Sequence, residues 1–355
     1  MKSSITDFFI LPEASIKEAI KKMDSAGQKI LFVSSGEAVL DGVVSDGDIR
    51  RYILRTGTLS GHVKDCYNKK PFVAKDGSSR ESIKELMARR KIEVVPVVNT
   101  RQQVIDLLVW NDFFNHRKKK HKKIGVPVII MAGGKGTRLD PFTRILPKPL
   151  IPIGEKPVLE LIMERFAEYG AGEFYLTVNY KGEMIKSYFD NIDVNYNINY
   201  IWEKEFLGTA GSLQFLPKNI TGTFIVSNCD ILVDLDYTDL IRYHHDRRHK
   251  LTIVGSLHHH VIPYGVIELS SSGNVVRILE KPEYDFTVNT GVYILERDVL
   301  KLIPKKKMFH ITDLIGLLLK AGEKVGVYPV SEGSYIDIGQ WEEYQKNTKR
   351  FAGDR

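Results

Sequence analysis

Two patterns of hydrophobic and polar positions divide this chain. From Val126 onward, short apolar runs alternate with amphipathic stretches. Val126–Met131 is apolar on both faces, as a central strand of a parallel sheet must be. Val158–Tyr169 then sets apolar residues at 158, 159, 162, 166 and 169, one face of a helix. A strand at Phe174–Asn179, a helix at Lys181–Phe189, a strand at Ile198–Trp202, a short helix at Gly211–Leu216 and a buried strand at Thr223–Ser227 continue the alternation. The order predicts an α/β fold: a Rossmann-like, doubly wound, mostly parallel sheet whose ligands bind at the carboxyl ends of its strands.

Upstream of residue 117 the pattern runs through a similar order twice. A helix at Ser15–Ser25 precedes strands at Lys29–Ser34 and Ala38–Val44, and Ser45–Arg55 reads as a helix start. The second pass has a helix at Ser79–Arg89, strands at Val94–Val98 and Val104–Val109, and a helix start at Trp110–Arg117. A separation of about sixty residues suits a duplicated β-α-β unit rather than a short solenoid repeat. The expected domains are 1–58, 59–116, a basic linker at 117–124 and a larger domain at 125–355.

Composition narrows the picture. With 43% apolar and 27% charged residues in 355, the chain is globular and long enough for two or three domains. Its net charge of +7 is local, because His116–Lys123 holds six Lys or Arg and no acid. Without interleaved aromatic residues that run reads as a solvated linker, not a nucleic-acid surface. No apolar run approaches the roughly eighteen residues of a membrane span, and the N-terminal apolar core is too short for a secretory signal. Cys66 and Cys229 lie too far apart in sequence to suggest a disulfide framework or a zinc site. A cytoplasmic protein is expected, with no nucleic-acid and no membrane partner.

The candidate chemistry begins where the first strand of the larger domain ends. Ala132–Arg138 (AGGKGTR) places glycines at 133, 134 and 136, so backbone N–H groups can crowd around an anion. Arg138 adds a planar charged fork suited to phosphate oxygens, and Lys148, between Pro147 and Pro149, a second cation. The glycines do not fit G-x-G-x-x-G, since Leu139 stands where the third should be, and no Gly-Lys-Ser/Thr closes a P-loop. The next helix signal starts only near Lys156, a loop long enough to suggest a function. A phosphate-rich ligand is its natural partner. Further on, Asp230 follows a buried strand, where a carboxylate suits Mg²⁺, though a turn or helix cap would need one too, and Asp337 ends another short strand. His244, His245 and His249 read as a cationic helix end, and His258–His260 as a segment between strands; neither cluster reads as catalytic.

These residues carry a resemblance. G-G-x-G-T-R-L-x-P followed by P-K-P resembles the signature of the sugar-1-phosphate nucleotidyltransferases, which have the nucleotide-diphospho-sugar transferase fold, and the likeness covers residues 123–351. It implies that Ala132, Gly133, Gly134, Gly136, Thr137, Gly208 and Thr209 bind an NTP, with Leu207–Gly211 (LGTAG) walling the nucleobase. Arg138, Lys148 and Asp230 would be catalytic, and Asp230 and Asp337 would hold Mg²⁺. Gly265, Glu280, Lys281, Asn289 and Thr290 match the sugar 1-phosphate side.

Leu40–Arg50 and Ile92–Val98 resemble CBS motifs, which implies a CBS-domain pair ahead of the larger domain. Such pairs bind nucleotide effectors, and Ser45 and Asp48 match the positions that hold a ribose. In the second half Val109 and Asp106 stand where the hydroxyl and the glycine belong, so one effector site is expected. CBS pairs associate in twos, hence a homodimer or higher homo-oligomer. This order of domains is similar to enzymes that join GTP to glucosamine 1-phosphate for legionaminic acid synthesis, which makes those the favoured substrates. Nothing in LGTAG separates guanine from thymine or uracil. Mannose, glucose and heptose phosphates stay open, as do two other classes: a glycosyltransferase consuming an NDP-sugar with Asn228–Asp230 as its metal motif, and a nucleotide sensor with an inert catalytic domain.

Overall fold

The structure, a computed structural model, describes residues 5–26, 29–90, 92, 94–109 and 123–339. The expected helix start at Trp110–Arg117 and all of the basic run except Lys123 lie outside those residues. The chain forms two compact units: residues 1–118 with 257–286 and 331–333, and residues 119–256 with 287–330 and 334–355.

The duplication read from the sequence is present in the first unit as topology. β1 (Phe9–Ile10), β2 (Ile30–Val33) and β3 (Gly42–Ser45) form one sheet, with β1 parallel and β3 antiparallel to β2. β4 (Ala74–Lys75), β5 (Val94–Val98) and β6 (Val104–Val109) repeat that arrangement. Each half carries a helix between its first two strands, Ile16–Ala26 and Arg80–Arg90. The first of these buries Ile16, Ala19 and Met23, positions i, i+3 and i+7 on one face. Ser15 and Glu18 form a reciprocal capping box at its start, the hydroxyl accepting from Glu18 N–H and the carboxylate from Ser15 N–H. Phe8, Phe32 and Val43 pack with Val94, Val98 and Val104, so the halves share a core.

The second unit is built on β7 (Val128–Met131), which is followed by the short hairpin β8 (Pro152–Ile153) and β9 (Lys156–Pro157), then β10 (Glu173–Val178), β11 (Asn197–Trp202) and β12 (Thr223–Asn228). β7 runs parallel to both β10 and β12, and β10 parallel to β11. Val128 and Ile130 point into one apolar cluster and Ile129 into another on the opposite face, which is why this strand reads as an unbroken apolar run. The helix Val158–Glu168 covers one face with Val158, Leu159, Ile162, Met163 and Phe166. Full burial of each such side chain stabilises by about 1.5–3 kcal/mol.

After β13 (Ile231–Val233) the chain adds β14 (Leu251–Val261), the hairpin β15 (Val266–Leu269) and β16 (Val275–Leu279), β17 (Glu283–Glu296), β18 (Val325–Ser331) and β19 (Tyr335–Asp337). The main sheet has the order β11-β10-β7-β12-β17-β14-β18. β17 is antiparallel to β12, so the sheet is mixed beyond its parallel half. The sequence pattern missed this extension because polar residues interrupt β14 and β17. Among the described residues no helix is long and apolar enough to cross a membrane.

Two histidine expectations change. His258–His260 lie within β14 rather than between strands, His258 stacked on Phe286 and His259 hydrogen bonded to Asp285. His244 is no helix-end cation. It is wholly buried in the helix Tyr237–Arg247 between the Thr252 hydroxyl and the Glu296 carboxylate, and burial pushes its pKa down to about 4.

Candidate active site

The glycine-rich loop leaves β7 at Ala132, whose N–H donates to Thr177 O at 2.9 Å. Each glycine in it has a distinct surrounding. A Cβ on Gly133 would sit 3.1 Å from Glu203 Oε1, while one on Gly134 would meet nothing within 4 Å. Gly136 has φ +67, and a Cβ there would lie 2.8 Å from Lys148 Cβ. The loop therefore closes on its own second cation, and only glycine permits that approach. Gly136 opens a 3-10 turn, Thr137–Leu139, that leaves Thr137 and Arg138 exposed while burying Leu139. Two further 3-10 turns, Phe142–Arg144 and Lys148–Leu150, give the rest of this long connection its own structure.

Lys148 donates to Asp230 Oδ2, and both side chains are close to nine-tenths buried. Asp230 lies two residues past the end of β12, and β13 then pairs antiparallel with β19 so that Ile231 stands opposite Asp337. That register brings the second carboxylate to the first. Gly339 marks the meeting point: a Cβ on it would lie 2.4 Å from Asp230 Oδ2, 2.8 Å from Asp337 Oδ1 and 2.9 Å from Lys148 Nζ. Burial raises the Asp337 pKa, and the Asp230 charge adds to it, against the Gly339 N–H and the positive charges of Lys148 and Arg138. Four charged groups thus share one locality at the carboxyl end of the parallel strands.

This donor set fits Mg²⁺. The ion takes one or two carboxylates and completes its shell with phosphate and water oxygens, and here two hard oxygen ligands flank a cradle that a single methyl group would fill. Among the described residues no group of three or more His, Cys, Asp or Glu could hold a metal ion. Cys229 offers no nucleophile. It is buried, and burial followed by the Asp230 charge pushes its thiol up to about 12.

Glu203, at the end of β11, escaped the sequence reading. It is buried, its Oε2 accepts from Leu207 N–H at 3.2 Å, and its Oε1 lies against Gly133. One carboxylate therefore ties the two glycine-rich turns together. The only hint in the sequence was an acid directly after an apolar strand. In the second turn, Gly208 has φ +82, and a Cβ there would strike Phe309 O at 2.6 Å. The Thr209 hydroxyl accepts from Ile311 N–H at 3.0 Å, at the start of the helix Ile311–Lys320. Packing on Phe309 already requires this glycine, whatever lies on its other side.

Asn289 and Thr290 also belong to the second unit. Asn289 Nδ2 donates to Tyr293 Oη at 2.8 Å, while Thr290 is 1% exposed and its hydroxyl donates to Val254 O. The next residue, Gly291, has φ +86 and admits the Asn228 side chain at the end of β12. In the first unit, Gly265 and Glu280 come together, with Glu280 Oε2 3.2 Å from where a Gly265 Cβ would be. Lys281 follows them, exposed, with φ 43. Ser45 and Asp48, in the same unit, form the capping box of the helix Asp46–Thr56, and Arg51 pairs with the other Asp48 oxygen.

The sequence matches the nucleotidyl transferase family over residues 127–352 and the CBS domain family over residues 3–55. The UTP–glucose-1-phosphate uridylyltransferase of Synechocystis sp. is 32% identical over 237 residues, 61% of this chain and 61% of that protein. The mannose-1-phosphate guanyltransferase of Saccharomyces cerevisiae is 31% identical over 231 residues, 62% of this chain and 63% of that protein. The chain thus spans about three fifths of the length of these curated relatives. The crystal structure of HddC from Yersinia pseudotuberculosis superimposes with a TM-score of 0.51 at 32% identity, over 64% of this chain and 99% of that one. HddC complexed with GMP-PN gives a TM-score of 0.50 at 31% identity, over the same shares.

Proposed function

Since the chain belongs to the nucleotidyl transferase family, we propose that it transfers a nucleotidyl group from GTP to glucosamine 1-phosphate, yielding an NDP-sugar and pyrophosphate. The observation that carries this reading is the convergence of Lys148, Asp230 and Asp337 on Gly339, beside the loop that bears Arg138.

The chemistry needs no covalent enzyme intermediate and no strong base. An anionic oxygen of the sugar phosphate attacks the α-phosphorus of the NTP. A new P–O bond forms there as the bond to the β-phosphate bridging oxygen breaks, and pyrophosphate leaves with that electron pair. Two polyanions must meet, so alignment and charge neutralisation are the tasks of the site. Mg²⁺ held by Asp230 and Asp337 would supply neutralisation between the two phosphates. Gly133, Gly134, Gly136 and Thr137 present backbone N–H groups to the triphosphate, with Ala132 beneath them. Arg138 steadies the leaving pyrophosphate, and Lys148 meets the charge that builds at the α-phosphate. On the acceptor side, Lys281 is assigned to the monophosphate, and Gly265, Glu280, Asn289 and Thr290 to the sugar. Thr290 would act through its backbone, because its hydroxyl is already committed to Val254.

Support for GTP comes from the guanyltransferase relative and from HddC complexed with GMP-PN. Support for glucosamine 1-phosphate comes from the order of domains, which resembles the glucosamine-1-phosphate guanylyltransferase of bacterial legionaminic acid biosynthesis. The reading extends to a cytoplasmic, CBS-mediated homo-oligomer under nucleotide control. An effector ribose at Ser45 and Asp48 would have to compete with the helix cap and with Arg51. Any such coupling is reciprocal: if the effector changes GTP affinity, GTP changes effector affinity by the same factor.

Pyrophosphate release tests the assignment, with each common NTP set against glucosamine, N-acetylglucosamine, mannose, glucose and heptose 1-phosphates in Mg²⁺. Turnover confined to GTP with glucosamine 1-phosphate is expected. Turnover with another pair moves the enzyme to another nucleotide-sugar pyrophosphorylase. No pyrophosphate from any pair, together with NDP release from a supplied NDP-sugar, marks an NDP-sugar-using glycosyltransferase. A blank grid that stays blank with added nucleotide effectors leaves a sensor.

A further inference from the structure

The turn that follows β10 breaks two local rules at one residue. Lys181 is the N-cap of the helix Gly182–Asp190, and it sits in the left-handed region at φ 53, ψ 30. Side chains with a Cβ avoid that region, and an N-cap favours Ser, Thr, Asp or Asn. A cation there also opposes the helix dipole, and this side chain makes no cap hydrogen bond. Conflicts of this kind between local preference and native structure concentrate at functional sites.

The ammonium reaches instead to the phosphate loop. Lys181 Nζ donates to three consecutive carbonyls, Thr143 O at 3.2 Å, Arg144 O at 2.5 Å and Ile145 O at 2.9 Å. An ammonium has three donors, and these carbonyls account for all of them. They end the 3-10 turn Phe142–Arg144, between Arg138 and Lys148 in sequence. Tyr180 Oη donates to Thr143 O as well, at 3.3 Å, and its ring centroid lies 5.1 Å from the ammonium. Asn179 packs against Gly133 and donates to Glu203 O at 2.8 Å. Three consecutive residues thus touch the loop at its start and at its middle.

We propose that Lys181 is a positioning residue for the phosphate loop, its ammonium fixing the carbonyls of residues 143–145 and through them the geometry of Arg138 and Lys148. The proposal rests on the reading of that loop as the NTP site. A loop ordered before its ligand arrives spares the binding step the entropy of ordering it. With every donor used, Lys181 contributes to triphosphate binding through the loop and not by contact.

The test uses the full chain with Lys181→Met, which keeps the stem but removes the donors, and Lys181→Arg, which keeps charge and donors. Amide hydrogen exchange without nucleotide should speed up about tenfold across residues 137–150 in the Met variant and less in the Arg variant, with β7, β10 and β12 unchanged. In steady state the NTP KM should rise about tenfold while the sugar 1-phosphate KM stays within about twofold. Unchanged loop exchange, or acceleration spread over the whole second unit, overturns the proposal; so does an equal rise in both KM values. If the Met variant does not fold, Tyr180→Phe should accelerate exchange at residues 143–145 alone, and no change there overturns it. Because exchange is read without ligand, a wild-type protein that turns over no NTP would sink the proposed reaction while the clamp is still judged.

Discussion

Lys148 and Asp230 lie 82 residues apart in sequence and form one nearly buried ion pair. A pair in that setting is costly to break, because removing one partner strands the other charge at about 3–5 kcal/mol. Arg138, on the same loop, is exposed. The two cations should therefore answer differently to substitution. Arg138→Ala is expected to lower kcat at least about a hundredfold, the scale of losing one electrostatic stabiliser, with the melting temperature unchanged. Lys148→Met should lower both. Asp230→Ala should match Arg138→Ala in kcat. Near-normal turnover in Arg138→Ala and Asp230→Ala would remove the assignment.

Gly339 gives a separate handle on the proposed Mg²⁺ site. Gly339→Ala places a methyl group within 3 Å of Asp230, Asp337 and Lys148. The half-saturating Mg²⁺ concentration should rise about tenfold or more, the usual consequence of disturbing the groups that orient metal ligands. An unchanged Mg²⁺ dependence of activity would show that the two carboxylates do not hold the ion together.

His244 makes a prediction about acid stability. Burial holds its pKa down at about 4, below the 6.5 of a free imidazole, against the pull of Glu296. At pH 5 the unfolded chain therefore binds a proton here that the folded chain does not. Its contribution is fully present above about pH 6.5 and is lost as the pH falls toward about 4. Urea denaturation of wild type should show stability falling between pH 7 and pH 5. His244→Gln should start lower at pH 7 and fall less steeply. Parallel slopes in the two proteins would exclude His244 as a source of acid sensitivity.

How much of this was legible in the sequence differs from residue to residue. The loop glycines, Arg138 and Lys148 lie close together in the chain, so the pattern that suggests a phosphate ligand could be read directly from it. The parallel half of the sheet was legible for a similar reason: β7 is buried on both faces and looks it. Asp337 is different. Only the pairing of two three-residue strands, β13 with β19, brings it to Asp230, and strands that short leave no periodicity to read. Lys181 reaches backbone carbonyls of a distant loop, and Glu203, whose bond to Leu207 N–H is local, meets Gly133 only through the fold. His244, His245 and His249 looked like cations at a helix end. Burial against Thr252 and Glu296 is what makes His244 a neutral core residue. Ser45 and Asp48 show the limit of a motif match. Their spacing suits a ribose site, and the same spacing builds the capping box they form.

The most direct test of the central claim is phosphorus NMR of wild-type protein incubated with GTP, glucosamine 1-phosphate and Mg²⁺. The account predicts that the γ-phosphate signal of GTP and the sugar phosphate signal disappear together. Free pyrophosphate and a new diphosphate-sugar pair of resonances should appear in equal amounts, and nothing should change when either substrate or the metal is left out. Release of inorganic phosphate or pyrophosphate without the coupled loss of the sugar 1-phosphate would contradict it.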